Sequence, residues 1–294
     1  IEMSALSSLE HALWDIIGKH FGTPVYNLLG GPCRDKIRLY THAGGKTPEE
    51  LAQSARSIVE KGYTALKFVP FPPNHPSLST YELIDRTVAR MKAVRESVGE
   101  KVDICLDVHG MIYNPSLAVN VAQALEEYRP FFLEEPLLHD NMEAWSKLAT
   151  KINIPLATGE RLFTRYGFRK ILENQTVDII QPDPCACGGI LETKKIAAMA
   201  ETYYIHVAPH NPLGPVATGI CAHIDASTPN FLIQEHIPDD KPPRSEVVTE
   251  PLKVEKGYLK LPTKPGLGID LNEEALKKYP YKPAYRAELY SEDG

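Results

Sequence analysis

Hydrophobic residues along this chain gather in short runs that end abruptly on polar or charged residues. KIRLYTHAGG (36–45), TALKFVP (64–70), VDICLDVHG (102–110), FFLEEPL (131–137), IPLATGE (154–160), VDIIQPD (177–183), YIHVAPH (204–210) and FLIQEH (231–236) each have the length and content of a strand. In VDICLDVHG the apolar Val102, Ile104 and Leu106 alternate with Asp103, Cys105 and Asp107. The period of two places Asp107 and His109 on one face and turns the apolar set toward surrounding helices.

Helical patterns fill the intervals. Residues 4–19 carry Leu6, Leu9, Leu13, Ile16 and Ile17 at helical spacing, and Asn27 to Pro32 breaks the pattern. Thr47-Pro48-Glu49-Glu50 reads as a helix start with a capping box, followed by Leu51, Ala55, Ile58 and Val59 on one face. PFPPNHPSLS forms a long, irregular surface loop before a helix over roughly 80–97. Leu117, Val121, Leu125 and Tyr128 make the apolar stripe of a helix from about 116 to 128.

Eight strands with intervening helices and no low-complexity linker predict an α/β chain folded as a TIM-type barrel. A doubly wound open sheet is the alternative, but it concentrates its site at one switch point, whereas polar residues here close many strands. The expected organisation is a helix and connection over 1–35, a barrel over 36–240 and a proline-containing C-terminal segment over 241–294 that leaves the barrel.

Composition adds mostly exclusions. Of 294 residues, 43% are hydrophobic and 24% charged, as in an ordinary soluble globular protein. A net charge of −6 argues against a nucleic-acid partner, which would need a basic patch. No apolar run is long enough to span a membrane, and no signal peptide is evident. Five scattered cysteines (33, 105, 185, 187, 221) argue for a reducing, cytoplasmic setting. Cys185-Ala186-Cys187 has no second pair and is weak as a metal motif.

The chemistry lies in the strand ends. Asp107, Glu134 and Glu160 follow one another at intervals of 27 and 26 residues, the size of one strand–helix unit. The beat continues to Asp183, His210 and Glu235. Any one of these carboxylates alone would more often cap a helix or pair with a surface cation. Three on consecutive strand ends of a barrel converge, and their mutual repulsion calls for a divalent cation; hard oxygen ligands suit Mg²⁺. Glu135 competes with Glu134 for the ligand role, and spacing leaves both open. His109 and His210 are candidate proton carriers, with Asp183 placed to hold one ring nitrogen of His210. Lys67, ending the second strand, is expected at the mouth as a partner for a substrate carboxylate, and Glu235 as a hydrogen-bonding group for the substrate. Such a metal with flanking bases can draw a proton from the carbon next to a carboxylate, leading to racemisation or to loss of a β-hydroxyl.

The segments ALSSLEHALWDIIGK, PVYNLLGG, DVHG, FFLEEPL, TGERLF, DIIQPDPCACGGI, APHNPLGP, LIQEH and TKPGLGIDLNEEAL together resemble the mandelate racemase subgroup of the enolase superfamily. The nearest likeness is to its galactonate- and gluconate-type sugar-acid dehydratases, and it spans nearly the whole chain. The resemblance implies a modified (β/α)7β barrel. It also implies an N-terminal α+β capping domain that this sequence lacks and on which the C-terminal tail would pack. It implies Mg²⁺ on Asp107, Glu134 and Glu160, and His210 with Asp183 as the base. His109 would be the acid that assists loss of the 3-hydroxyl, Glu235 a hydrogen-bond partner of the enediolate, and the product a 2-keto-3-deoxy acid. The racemases of this subgroup carry Lys-x-Lys at the end of strand two; here Lys67-Phe68-Val69 lacks the second lysine. That departure favours elimination over racemisation or epimerisation of a related acid. A metal-binding barrel without activity is a third reading, since a fold does not fix a function. The expected partner is a small sugar acid, and homo-oligomers are the common default.

Overall fold

The computed structural model describes residues 2–280. The chain opens with α1 (Glu2–His20) and a short α2 (Val25–Leu28). Strand β1 (Lys36–His42) then starts a repeating series: α3 (Pro48–Glu60), β2 (Ala65–Phe68), α4 (Thr80–Val98), β3 (Asp103–Asp107), α5 (Pro115–Leu125), β4 (Phe132–Glu134), α6 (Met142–Ala149), β5 (Leu156–Thr158) and α7 (Thr164–Glu173). It continues through β6 (Ile179–Ile180), α8 (Ile190–Glu201), β7 (His206–Val207), α9 (Pro215–Ser227) and β8 (Gln234–Glu235). The tail adds β9 (Val254–Glu255), β10 (Tyr258–Lys260) and α10 (Glu273–Lys278).

Neighbouring strands from β1 to β7 pair in parallel and in sequence order. β8 pairs in parallel with β1, and a Val207–Phe231 bridge joins β7 to the segment entering β8, so the sheet closes on itself. Seven strand–helix units and a final strand without a helix make a (β/α)7β barrel. Several strands are shorter than the apolar runs that mark them, β6 and β7 having two residues each. Prolines at 182 and 209 follow closely and remove donors from the ladder.

The expected capping box at Thr47 is present, as is a second at Ser79–Glu82. The 116–128 helix stops at Leu125 and tightens into a 3₁₀ turn over Glu126–Tyr128, where Arg129 adopts a left-handed backbone. The tail hairpin β9–β10 lies antiparallel on the start of β1, pairing Lys36 to Arg38 with Tyr258 to Lys260. Residues 281–294 of the expected 241–294 segment lie outside the described residues.

The helix α1 reverses a common rule. Its buried residues are Ser7, His11 and Gly18, while the stripe of Leu6, Leu9, Leu13 and Ile16 is more than half exposed. Its polar groups brace the loop after β6. The Glu10 carboxylate accepts from the amides of Ile190 and Leu191, and His11 Nε2 lies 3.1 Å from the Pro184 carbonyl. Among the described residues no helix is long and apolar enough to cross a membrane.

Inside the barrel one residue from each strand region packs into a small apolar layer: Tyr40, Ala65, Cys105, Phe132, Ala157, Ile179, Ala208 and Ile233. Strand alternation returns to the same face two residues later. Those positions are His42, Lys67, Asp107, Glu134, Gly159, Gln181, His210 and Glu235. A polar layer therefore sits directly above an apolar floor, at the carboxyl ends of the strands. Gly159 is required in it: its φ is 147°, and a Cβ there would lie 2.8 Å from the Gln181 amide and 2.9 Å from the Phe168 ring. Gly159→Ala is expected to lower stability by about 1–3 kcal/mol through backbone strain. Urea unfolding checks this, and an unchanged midpoint would refute the packing argument.

Candidate active site

The floor of the site is held by Lys67. Its chain is buried, and Nζ donates to both oxygens of Glu134 at 3.1 and 3.0 Å. The same nitrogen lies 3.0 Å from Asp107 Oδ2 and 2.8 Å from Glu235 Oε1. Burial opposes the ammonium, but Glu134, Glu235 and Asp107 outweigh it and hold its pKa well above the usual lysine value. Within the protein its ammonium serves three carboxylates of its own layer.

Asp107, Glu134 and Glu160 come together as expected of a metal centre. One oxygen from each lies within 4.8 Å of the others, and among the described residues no other such cluster of potential ligands occurs. Oxygens around Mg²⁺ lie about 2.1 Å from the ion and so up to about 4.2 Å apart, close to this spread. Burial, with the charges of Asp107 and Glu235, pushes Glu134 up to about 8 despite Lys67. A hard-oxygen donor set at the ends of three separate strands, with Glu134 pushed up by burial and its neighbours, fits a divalent cation.

Of the two consecutive glutamates, Glu134 points inward. Glu135 adopts a left-handed backbone (φ 41°), which turns its side chain aside. There it is buried, accepts from Thr158 Oγ1 at 3.3 Å and forms an ion pair with Arg161. Burial and Glu160 raise it to about 7, against the pull of Arg161.

The two histidines flank this cluster. His210 Nε2 is 3.3 Å from Glu160 Oε2, and its Nδ1 is 2.9 Å from Asp183 Oδ2. The other Asp183 oxygen accepts from the Cys185 amide at 2.7 Å, so the carboxylate is fixed on both sides. Burial lowers the His210 pKa, but the Asp183 hydrogen bond and the charges of Glu235 and Glu160 together carry it to about 9. A cation on Glu160 would offset one of those charges. On the opposite flank His109 Nε2 is 3.3 Å from Asp107 Oδ2, and its amide donates to Asp107 Oδ1 at 3.0 Å. His109 has φ 52° and a half-exposed side chain, which sets its ring at the mouth.

Glu235 is buried and fully engaged. Its Oε1 faces Lys67 and His42 Nε2 (2.6 Å), while Oε2 accepts from the Asn211 amide at 2.7 Å and lies 3.9 Å from His210 Nε2. Burial opposes its charge, yet Lys67, His42 and His210 hold its carboxyl well below the usual range. Both of its oxygens are thus engaged as acceptors within the protein. Cys187 is buried with Sγ 3.2 Å from Thr193 Oγ1, and burial pushes both Cys185 and Cys187 to about 12, so neither is a ready thiolate.

His42, Arg161, Gln181 and Asn211 went unread in the sequence. His42 and Gln181 were findable: each stands two residues beyond an apolar-floor residue, at Tyr40 and Ile179. Arg161 directly follows Glu160, but its partner Glu135 is reached only through the turned backbone.

Residues 50–275 match the family described as enolase C-terminal domain-like. The D-gluconate dehydratase of Thermoproteus tenax is 36% identical over 285 residues, which cover 96% of this chain and 57% of that protein. The D-galactonate dehydratase of Ralstonia pickettii is 38% identical over 279 residues, 93% of this chain and 72% of that one. The chain thus spans little more than half of the first relative and about seven-tenths of the second. Among solved structures, one described as an enolase, a putative galactarate dehydratase from Agrobacterium radiobacter with bound Na and L-malate, superposes with a TM-score of 0.92 at 34% identity. It is covered to 78% by 99% of this chain. A putative dehydratase from Mesorhizobium loti gives a TM-score of 0.90 at 36% identity, over 95% of this chain and 76% of that one. The chain belongs to the enolase superfamily, carries its C-terminal barrel domain and is similar to its galactonate and gluconate dehydratases.

Proposed function

We propose that the protein is a Mg²⁺-dependent dehydratase of a sugar acid, an aldonate such as gluconate or galactonate. The observation that carries this reading is the placement of two imidazoles on one carboxylate cluster, each 3.3 Å from a different carboxylate, with only His210 backed by a second one. The similarity to gluconate and galactonate dehydratases supports the substrate class.

Asp107, Glu134 and Glu160 hold the ion. When bound, Mg²⁺ supplies the positive charge that makes a proton next to a carboxylate acidic enough for a histidine to take. His210 Nε2 removes that proton from C2, while Asp183 fixes the ring through Nδ1 and stabilises the resulting imidazolium. His109, on the far flank, gives a proton to the 3-hydroxyl as it leaves as water. The enol left between C2 and C3 takes a proton at C3, releases the proton of its C2 hydroxyl to solvent and becomes a 2-keto-3-deoxy acid. Lys67, paired with Glu235, keeps the carboxylates of its own layer assembled. A screen of aldonic and aldaric acids, with Mg²⁺ and with EDTA, is expected to show 2-keto acid formation from at least one aldonate only when the metal is present. Turnover that survives complete metal removal would sink the mechanism.

A further inference from the structure

We infer that Glu135 and Arg161 form a positioning pair that sets the geometry of the metal site, although neither is a metal ligand. The inference rests on the metal reading above and deepens it.

The three carboxylates are not supported equally. Lys67 reaches Asp107, Glu134 and Glu235, and forms no ion pair with Glu160. The cationic partners of Glu160 are His210 at Oε2 and Arg161 at Oε1, 3.1 Å away. A base must be free to be neutral, so His210 cannot be a standing counter-charge. Among the described residues Arg161 is then the one permanent cation on Glu160, since a guanidinium stays protonated.

A half-exposed arginine at a barrel mouth is normally free to swing into water. Here Nη1 is drawn down onto Glu135, whose carboxylate is also fixed by Thr158. The glutamate reaches that place only because its backbone is left-handed, which costs a non-glycine residue about 1–3 kcal/mol. The turned backbone has a second effect. The Glu135 carbonyl accepts from the Gly110 amide at 2.7 Å, and its own amide donates to the Ala157 carbonyl at 3.0 Å. Gly110 is next to His109; Ala157 opens the stretch that leads to Glu160. One strained residue therefore ties the loop of the acid, the loop of the third ligand and Arg161 together. Such outer groups typically set metal affinity by about 10–100-fold.

The test is calorimetric titration of Mg²⁺ into EDTA-stripped protein. The variant Glu135→Gln/Arg161→Met removes the pair without changing net charge. It is expected to bind Mg²⁺ at least about tenfold more weakly than the wild type. Wild-type affinity in this double variant overturns the inference. Arg161→Lys keeps the charge but not the guanidinium geometry by which Nη1 meets both Glu135 and Glu160, and it should bind more weakly than the wild type with unchanged metal-free melting. If the double variant fails to fold, Arg161→Lys decides, equal affinity then overturning the claim. A purely structural role would move the melting temperature and leave affinity alone. A wild type that binds no Mg²⁺ defeats the metal reading itself and this inference with it.

Discussion

Replacing His210 by Asn is expected to lower sugar-acid turnover by about a hundredfold to ten-thousandfold, the usual worth of a positioned general base. The amide keeps much of the shape and can still contact Asp183, so the fold should survive and Mg²⁺ should still bind. Exchange of the C2 proton with solvent should fall in parallel with turnover, because both need the same abstraction. His109→Asn should behave differently. It removes the acid for the leaving hydroxyl while Asp183 and His210 remain paired at 2.9 Å. Exchange at C2 is therefore expected to persist while keto-acid formation is lost. If both variants lose exchange equally, the assignment of base and acid to opposite flanks is wrong.

The second large effect falls on stability. Lys67 is buried within 3.0 Å of Asp107, Glu134 and Glu235. Lys67→Met leaves three buried carboxylates without that charge, and removing one partner of a buried ion pair costs about 3–5 kcal/mol. Proton uptake limits the loss: Glu134, already pushed up to about 8, would titrate further once the ammonium is gone. The lower part of that range is therefore expected at neutral pH. Denaturant unfolding in EDTA measures it, and Mg²⁺ should recover part of it by binding the folded state. A variant as stable as the wild type in EDTA would show that Lys67 is not the counter-charge of the layer.

Much of this site is legible in the chain because a closed parallel barrel turns a linear beat into a ring. Asp107, Glu134, Glu160, Asp183, His210 and Glu235 all follow short apolar runs, so parallel strands place them at one end, although the period of two alone would put Gly159 and not Glu160 in the inward layer. What stayed hidden depends on closure and on backbone sign. His42 meets Glu235 across 193 residues only because β8 pairs with β1. The choice between Glu134 and Glu135 follows from strand parity once Phe132 is known to face the barrel interior, and the left-handed φ of Glu135 sets where its side chain goes. Lys67 looked like a mouth residue because it ends β2, yet the side chain lies level with buried carboxylates. In α1 the helical period is met, while the direction of the face is not carried by the spacing. Its polar side binds the β6 loop and its leucines point outward.

The most direct test of the central claim is turnover of an accepted aldonate in deuterium oxide with Mg²⁺, followed by nuclear magnetic resonance. The account predicts a 2-keto-3-deoxy acid carrying one solvent deuterium at C3, and none of it when EDTA is added. Recovered acid labelled at C2 without any keto acid would contradict dehydration and assign the site to racemisation.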